Sequence, residues 1–399
     1  MTVPFLTTRD VDLDSAERRA DPLGLGPVWS AAGHELLPHL TESTNEGAGF
    51  TVLTAGLWLH DQFLRAKPER RNTRQELFFL LIEQVFAWSA YPDDWPLPGT
   101  RQLNLRASEP AISRTRQILD NPLASGVLGL YRTSAERAGL ISQSSAGYRV
   151  SDSTSDVLTK VCTIPQAKLF AILDEVLAGD DLEDVPFTGH AALKSSVVDL
   201  LNSRKLKTHL YQSLIRIESI EAIAQLLAAS GTGDLRSFVS RCKRTFPGIP
   251  TFDTILRTEN YIGFLEECFR FFFRPSATLG NLSTAMGFSI EGLKRSHREF
   301  EDTLGRPHLR GVAASRARLC ASLDFQDKRS FFQSLIELHE RICEDRQSGV
   351  WIRLEDGGYL RPLVDLPSSP EWKAEPGQQN WRNDYYFSPL LRLYRGLRR

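Results

Sequence analysis

Apolar residues recur at helical spacing through most of this 399-residue chain, and that periodicity limits its fold more than any other feature. "NTRQELFFLLIEQVFAWSAY" is apolar on every side, which predicts a buried helix with Asn72 as its cap. "TIPQAKLFAILDEVLAG" sets Thr163 as a cap, Pro165 early and Gly179 as a stop, the order that helix ends favour. "GHAALKSSVVDLLNSRK", "SIEAIAQLLAAS", "ENYIGFLEECFRFFF" and "DKRSFFQSLIELHERICEDRQ" continue the pattern. "GVWIRLEDGGYLRPLV" breaks it. Two short extended runs flank Asp356-Gly357-Gly358, a hairpin signal because glycine reaches positive φ. The expected fold class is mainly α: multi-helical, with winged-helix or helix-turn-helix-like modules and a small C-terminal β-hairpin.

A chain of this length is long for one core. Breaks rich in Pro and Gly at "YPDDWPLPGT", "TFPGIPTF" and "RPSATLG" divide it. The expected segments are an N-terminal helical domain (1–105), a winged-helix-like module (106–160) and a helical domain (161–275). A helix-turn-helix-like region (276–347) and a hairpin with an aromatic and arginine-rich tail (348–399) follow. No internal repeat and no low-complexity tract is visible.

Composition excludes some classes of function. Net charge is −1, so no global basic field draws the chain to nucleic acid or membrane. Any such contact must come from a local patch. "MTVPFLTTRDVDLDSAERRAD" lacks the basic and apolar regions of a signal peptide, and Gly49 to Leu59 is too short to span a bilayer. A cytoplasmic protein without membrane contact is expected. The five cysteines are widely scattered, which predicts reduced, mostly buried thiols and no zinc knuckle.

The stretch "LSTAMGFSIEGLKRSHREFEDTLGRPHLR" carries the strongest binding pattern. Leu282, Ala285 and Met286 form the apolar side of a first short helix, Gly287 opens a turn, and Phe288 packs beneath it. Ser289 is a cap for a second helix, whose Leu293 meets the first. Ile290, Glu291, Lys294, Arg295 and Arg298 then point outward. Lys294, Arg295 and Arg298, with Arg306 and Arg310 beyond, are the candidate contacts to base edges or phosphates. Glu299, Glu301 and Asp302 dilute the basic side, so a purely solvated helix is the alternative. The stretch resembles the second helix-turn-helix of AraC-type transcription regulators through Gly287-Phe288-Ser289, Leu293, Arg295, Phe300, Gly305 and Pro307. The downstream "ASRARLCASL" is similar to that family's closing helix. The likeness is local, about a tenth of the chain. "ENYIGFLEECFRFFF" does not match a first helix-turn-helix, and the C-terminal hairpin has no place in that family.

"GLYRTSAERAGLISQSSAGYRVSD" reads as a helix, a stop at Gly139 and a hairpin, the end of a winged helix. "SEPAISRTRQILD", with Ser108 as cap and Pro110 early, supplies an earlier helix. Arg132 and Arg137 are candidate phosphate contacts. Packing or dimerisation is the alternative.

The opening "DPLGLGPVWSAAGHELLPHLTESTNEGAGFTVLTAGLWL" reads as two helices, with Pro27 early in the first and Thr41 or Thr44 as cap of the second. Through Asp21, Leu23, Gly24, Pro38, Leu40 and Thr41 it resembles uncharacterised bacterial proteins found in restriction and phage-defence gene clusters. That resemblance implies a partner-dependent role and no particular chemistry.

The tail "SPLLRLYRGLRR" has Ser388 as cap and Pro389 in the first turn. Leu390, Leu393, Tyr394 and Leu397 form one side; Arg392, Arg395, Arg398 and Arg399 form the other. Aromatic and arginine residues anchor interfaces, so Trp381, Tyr385, Tyr386, Arg392, Tyr394 and Arg395 are the candidate partner-binding set. Docking of the tail on its own domain, and nucleic-acid contact, are the alternatives.

No phosphate-binding glycine loop, His-Glu-x-x-His or G-x-S-x-G pattern occurs. Asp93 and Asp94 are paired, but without a supporting pattern of acids and lysine. No catalytic residue, cofactor or metal is expected. The expected function is that of a non-enzymatic DNA-binding accessory subunit in bacterial anti-phage defence or restriction. It would dock a helicase, nuclease or ATPase. An interaction scaffold or sensor without DNA binding is one alternative, and a divergent nuclease is another.

Overall fold

The computed structural model describes residues 21–91, 95–98, 100, 103, 109–119, 121–145, 147–179, 184–231, 233–364 and 375–398. The first part of the chain forms α1 (Gly26–Leu36), α2 (Gly47–Ala66), α3 (Gln75–Ala90), β1 (Ala111–Ile112), α4 (Pro122–Ser125), α5 (Val127–Arg137), β2 (Ile141–Ser144), β3 (Gly147–Val150) and α6 (Asp152–Val161). Next come α7 (Gln166–Ala178), β4 (Val185–Pro186), α8 (Ala191–Leu201), α9 (Arg204–Leu214), α10 (Glu218–Ser230), α11 (Leu235–Thr245) and α12 (Thr251–Phe271). The last part holds α13 (Leu279–Ala285), α14 (Ile290–Glu301), α15 (Gly311–Ala321), α16 (Lys328–Arg346), β5 (Ile352–Leu354), β6 (Leu360–Pro362) and α17 (Phe387–Arg398). The fold is mainly helical, with small antiparallel strand pairs β1–β4, β2–β3 and β5–β6 among the described residues.

Two compact units divide the chain, and both are discontinuous. The first takes Met1–Leu36 with Gly233–Tyr385, the second Leu37–Thr232 with Tyr386–Arg399. The consecutive segments expected from the sequence differ from this division. The N-terminal α1 packs on α12 and α15, and the C-terminal α17 packs on α9 and α10. Contacts distant in sequence are invisible to a reading of local pattern.

The first unit is built around α12, whose sequence is apolar on several sides. Tyr261, Ile262, Phe264, Leu265, Cys268, Phe269 and Phe271 are fully buried. Phe264 stands edge-on to Phe288 with ring centroids 5.1 Å apart, and Phe288 in turn meets Phe331 and Phe332. Truncating one such core phenylalanine to alanine costs ~3–5 kcal/mol. Asp21 caps α1: Oδ1 accepts from Leu25 N at 2.5 Å and Oδ2 from Gly26 N at 3.0 Å. Arg346 donates to the same Oδ2 at 2.8 Å.

In the second unit α2 is buried from Gly49 to His60, between α3 and α5. Gly49 is required there: a Cβ would lie 2.2 Å from Cζ of Tyr131 on α5.

Several expected caps fall elsewhere. α3 starts at Gln75 after Arg74 with no side-chain cap, so Asn72 is not its cap. α7 starts after Pro165 itself, not from Thr163, although it ends at Gly179 as expected. α2 follows Glu46 with no side-chain cap; Thr44 is buried and bonds Thr41 instead. α17 begins at Phe387, which places Ser388 inside its first turn. The helix expected over "SEPAISRTRQILD" is not formed: Ala111 and Ile112 pair with Pro186 and Val185 as strands. Ser108, Asp93 and Asp94 lie outside the described residues. Cys242, Cys268, Cys320 and Cys343 are free and buried, and Cys162 is half-buried. Among the described residues no helix is long and apolar enough to cross a membrane.

Candidate nucleic-acid interface

α13 and α14 lie in the first unit, joined by the turn Met286–Ser289. Thr278 opens α13 with a reciprocal cap: its Oγ1 accepts from Asn281 N at 3.0 Å, and Asn281 Oδ1 accepts from Thr278 N at 2.8 Å. The other end of α13 is held from α16. Lys328 Nζ donates to Met286 O at 2.6 Å and Ser283 O at 3.3 Å, and sits 5.0 Å over the Phe288 ring. A cation there satisfies carbonyls that the helix end leaves unpaired.

Ser289 caps α14 as its sequence predicts, accepting from Gly292 N at 3.0 Å. Leu293, Ser296 and Phe300 face inward, together with Met286 and Phe288 from the turn. Arg295 and Arg298 are exposed, while Lys294 is half-buried and 3.1 Å from Glu291. Arg306 is exposed in the following loop, and Arg310, also exposed, is the N-cap residue of α15. Gly287 lies in the turn as expected, but two details do not hold. Ile290 is half-buried and packs against the core rather than pointing outward, and Ala285 is exposed rather than part of the apolar side. Gly287 has no positive φ, and a Cβ there would meet nothing within 4 Å.

Acidic groups surround this helix. Glu291, Glu299, Glu301 and Asp302 are exposed, and Arg257 reaches Asp302 at 3.0 Å. Glu375, far along the chain, accepts from Ser289 N at 2.9 Å, so a carboxylate lies at the start of α14.

β5 and β6 form the predicted hairpin, with Gly357 and Gly358 at φ 80 and 84. The hairpin is tied to the residues just before α13: Leu360 N donates to Ala277 O at 2.9 Å, and Tyr359 bridges Thr278. Ile352 and Leu360 are buried, while Arg353 and Arg361 stand opposite each other and exposed. Sequence reasoning missed this arginine pair. The alternation in "WIRLEDGGYLRP" across a turn was the signal for it.

The other predicted basic site, Arg132 and Arg137, lies in the second unit. Arg132 is half-buried 5.2 Å over the Tyr148 ring, and Arg137 donates to Pro38 O at 2.8 Å. Gln75 holds the same hairpin from both sides, donating to Tyr148 O at 2.7 Å and accepting from Tyr148 N at 2.8 Å. The start of α5 is occupied by Glu83, which accepts from Leu128 N at 3.2 Å. Burial pushes the Glu83 carboxyl up to about 7, against the pull of these backbone donors.

The predicted partner-binding set is largely interior, a correction to the sequence reading. Tyr385 and Tyr386 are buried, each at positive φ. Tyr394 is buried as well, with Arg398 5.0 Å over its ring. Trp381 is half-buried under Arg236. Of the six, Arg392 and Arg395 are exposed. Tyr385 instead helps fasten the C-terminal segment of the first unit to α12, while Tyr394 packs against Tyr211 of α9 in the second unit. Glu259 is the anchor, fully buried and bonded to Arg382 N, Asn383 and the Tyr385 hydroxyl. A carboxylate in mid-helix has no local sequence signature of such a role.

The N-terminal residues that carried the defence-cluster likeness have structural work to do here. Asp21 caps α1, and Leu23 and Leu40 are core. Among the described residues no group of three or more His, Cys, Asp or Glu is placed to hold a metal ion. No family model, no curated protein and no solved structure matches the chain.

Proposed function

We propose that the chain is a non-enzymatic DNA-binding accessory protein that works with a protein partner. The observation that carries this reading is the division of α14. Leu293 and Phe300 hold its inner side, while Arg295 and Arg298 look outward beside Lys294. A helix entering the major groove presents such side chains to base edges and phosphates. Arg306 and Arg310 extend the cationic surface, and the β5–β6 hairpin is hydrogen-bonded to the residues just before α13. The partner belongs to the helicase, nuclease or ATPase class, in anti-phage defence or restriction. That part rests on the likeness carried by residues 21–41.

Binding of the full chain to a short duplex across a salt series tests the DNA reading. We expect log affinity to fall linearly with log salt, with a shallower slope for Lys294→Ala/Arg295→Ala/Arg298→Ala. Absence of binding at low salt would remove it.

A second reading is an interaction scaffold in which α13 and α14 are architecture alone. The exposed Glu291, Glu299, Glu301 and Asp302, and the Lys294–Glu291 pair, favour it. Co-purification with a protein partner in the absence of any DNA affinity would select it.

A further inference from the structure

In the second unit α9 and α17 pack against each other, and each also packs on α2. Their inner sides are apolar: Leu206, Leu210 and Leu214 on α9, and Leu390, Leu393, Tyr394 and Leu397 on α17. Their other sides are turned to solvent. Those sides hold Arg204, Lys205 and Lys207 on α9, and Arg392, Arg395 and Arg398 on α17. All are exposed except Lys207, which is half-buried. Neither helix contains an aspartate or a glutamate. That concentration of cations contrasts with a chain whose net charge is −1.

The two helices meet through Tyr211 and Tyr394, whose ring centroids are 6.2 Å apart. Arg398 donates to the Tyr394 hydroxyl, which fixes one cation on this seam. The acids that face the surface come from its margins. Glu221 of α10 accepts from the Tyr211 hydroxyl at 2.7 Å, and Glu46, just before α2, faces Arg392. Asp152 and Asp156 lie on α6, which also packs on α9.

Protein-docking surfaces are centred on aromatic, aliphatic and arginine anchors packed into an apolar, desolvated patch. Here the aromatics and leucines are turned inward, with Tyr394 only 5% exposed. Ile217, just past α9, is a single exposed apolar group. A layer of cations with no apolar patch around it matches a phosphate backbone, which asks for charge and little else. We propose that the α9–α17 surface is a second nucleic-acid contact, gripping the backbone of duplex DNA without reading its sequence. This contact belongs to the second unit and stands whether or not α14 binds DNA.

The test uses the full chain with two paired variants, Arg392→Gln/Arg395→Gln on α17 and Arg204→Gln/Lys205→Gln on α9. Glutamine preserves helix propensity, and thermal unfolding checks that each variant folds. Affinity for two duplexes of unrelated sequence is measured across a salt series, with polyglutamate as a second probe. We expect each pair to weaken binding about three- to tenfold at about 100 mM salt, equally for both duplexes. We also expect each to lower the salt slope by about two, since each phosphate contact contributes about 0.9. Slopes unchanged in both pairs would overturn the proposal, and the separate triple variant on α14 would then decide the first reading alone. If wild type binds no duplex at about 50 mM salt, both fall. If polyglutamate binds as tightly as DNA and is lost in the same variants, the surface is one for an acidic protein and the DNA contact is wrong.

Discussion

Glu259, midway along α12, accepts the backbone N–H of Arg382 at 2.6 Å, and so joins the centre of the first unit to a segment more than a hundred residues away. Its other oxygen accepts from Asn383 Nδ2 at 2.9 Å and the Tyr385 hydroxyl at 3.1 Å. Gln379 Nε2 donates to the Glu259 carbonyl at 2.9 Å, so the same turn of helix holds the segment twice. Glu259→Ala would strand these donors in the interior. We expect a loss of about 3 kcal/mol or more in urea unfolding, since each buried unpaired group costs about 1–3 kcal/mol. A loss near zero would show that the segment is held by other contacts.

The same carboxyl makes stability depend on pH. Burial pushes Glu259 up to about 7, above its ordinary 4.5, against the pull of its hydrogen bonds. Folding therefore favours the protonated form. Its contribution is fully present below about 4.5 and is lost as pH rises through about 7. Burial pushes Glu266 to about 8 and adds to the trend. The fall in melting temperature between pH 4.5 and pH 8 is expected to be shallower in Glu259→Gln than in wild type, with the difference arising between about 4.5 and about 7. Parallel curves for wild type and variant would rule Glu259 out as the source.

His339 acts in the opposite direction. Its Nδ1 donates to Pro22 O at 2.8 Å, and its Nε2 accepts from Trp351 N at 2.9 Å, which requires the neutral ring. Burial lowers its pKa below the ordinary 6.5, outweighing the bond to Pro22. The stability it gives is present above about 6.5 and is lost as pH falls. The protection factor of the Trp351 amide against hydrogen exchange is expected to fall on acidification below that point. An amide protected equally at pH 5 and pH 8 would contradict this.

Two glycines are expected to respond differently to alanine. At Gly49 the added Cβ meets the Tyr131 ring at 2.2 Å, and overpacking of this kind costs about 1–3 kcal/mol. At Gly287 it meets nothing and the backbone needs no positive φ, so Gly287→Ala is expected to be neutral or slightly stabilising. Equal destabilisation of the two would mean that the turn before α14 demands glycine after all. Chemical denaturation of both variants decides it.

Lys328 is the remaining prop of the α13–α14 turn. Lys328→Ala leaves the carbonyls of Met286 and Ser283 without their donor. We expect a loss of about 1.5–3 kcal/mol, the scale of a hydrogen bond to a charged group. Amide exchange in α13 should rise with it; unchanged exchange there would assign the end of α13 to packing alone.

The sequence by itself determined the helical class, the hairpin around Asp356-Gly357-Gly358 and the inner side of α14. These depend on local pattern: the periodicity of Leu293 and Phe300, the cap at Ser289, and glycine's freedom of φ. Tertiary structure decided which residues are left for a partner. Tyr385, Tyr386 and Tyr394 have the composition of an interface, yet they are buried. Glu259 looks like an ordinary charged helix residue, yet it anchors a distant segment. Thr44 has the residue type of a cap, yet it is buried and bonds Thr41 while α2 starts after Glu46. Local pattern sets what a segment prefers to be. The free energy of burying apolar surface, summed over contacts far apart in the chain, sets which side chains remain at the surface.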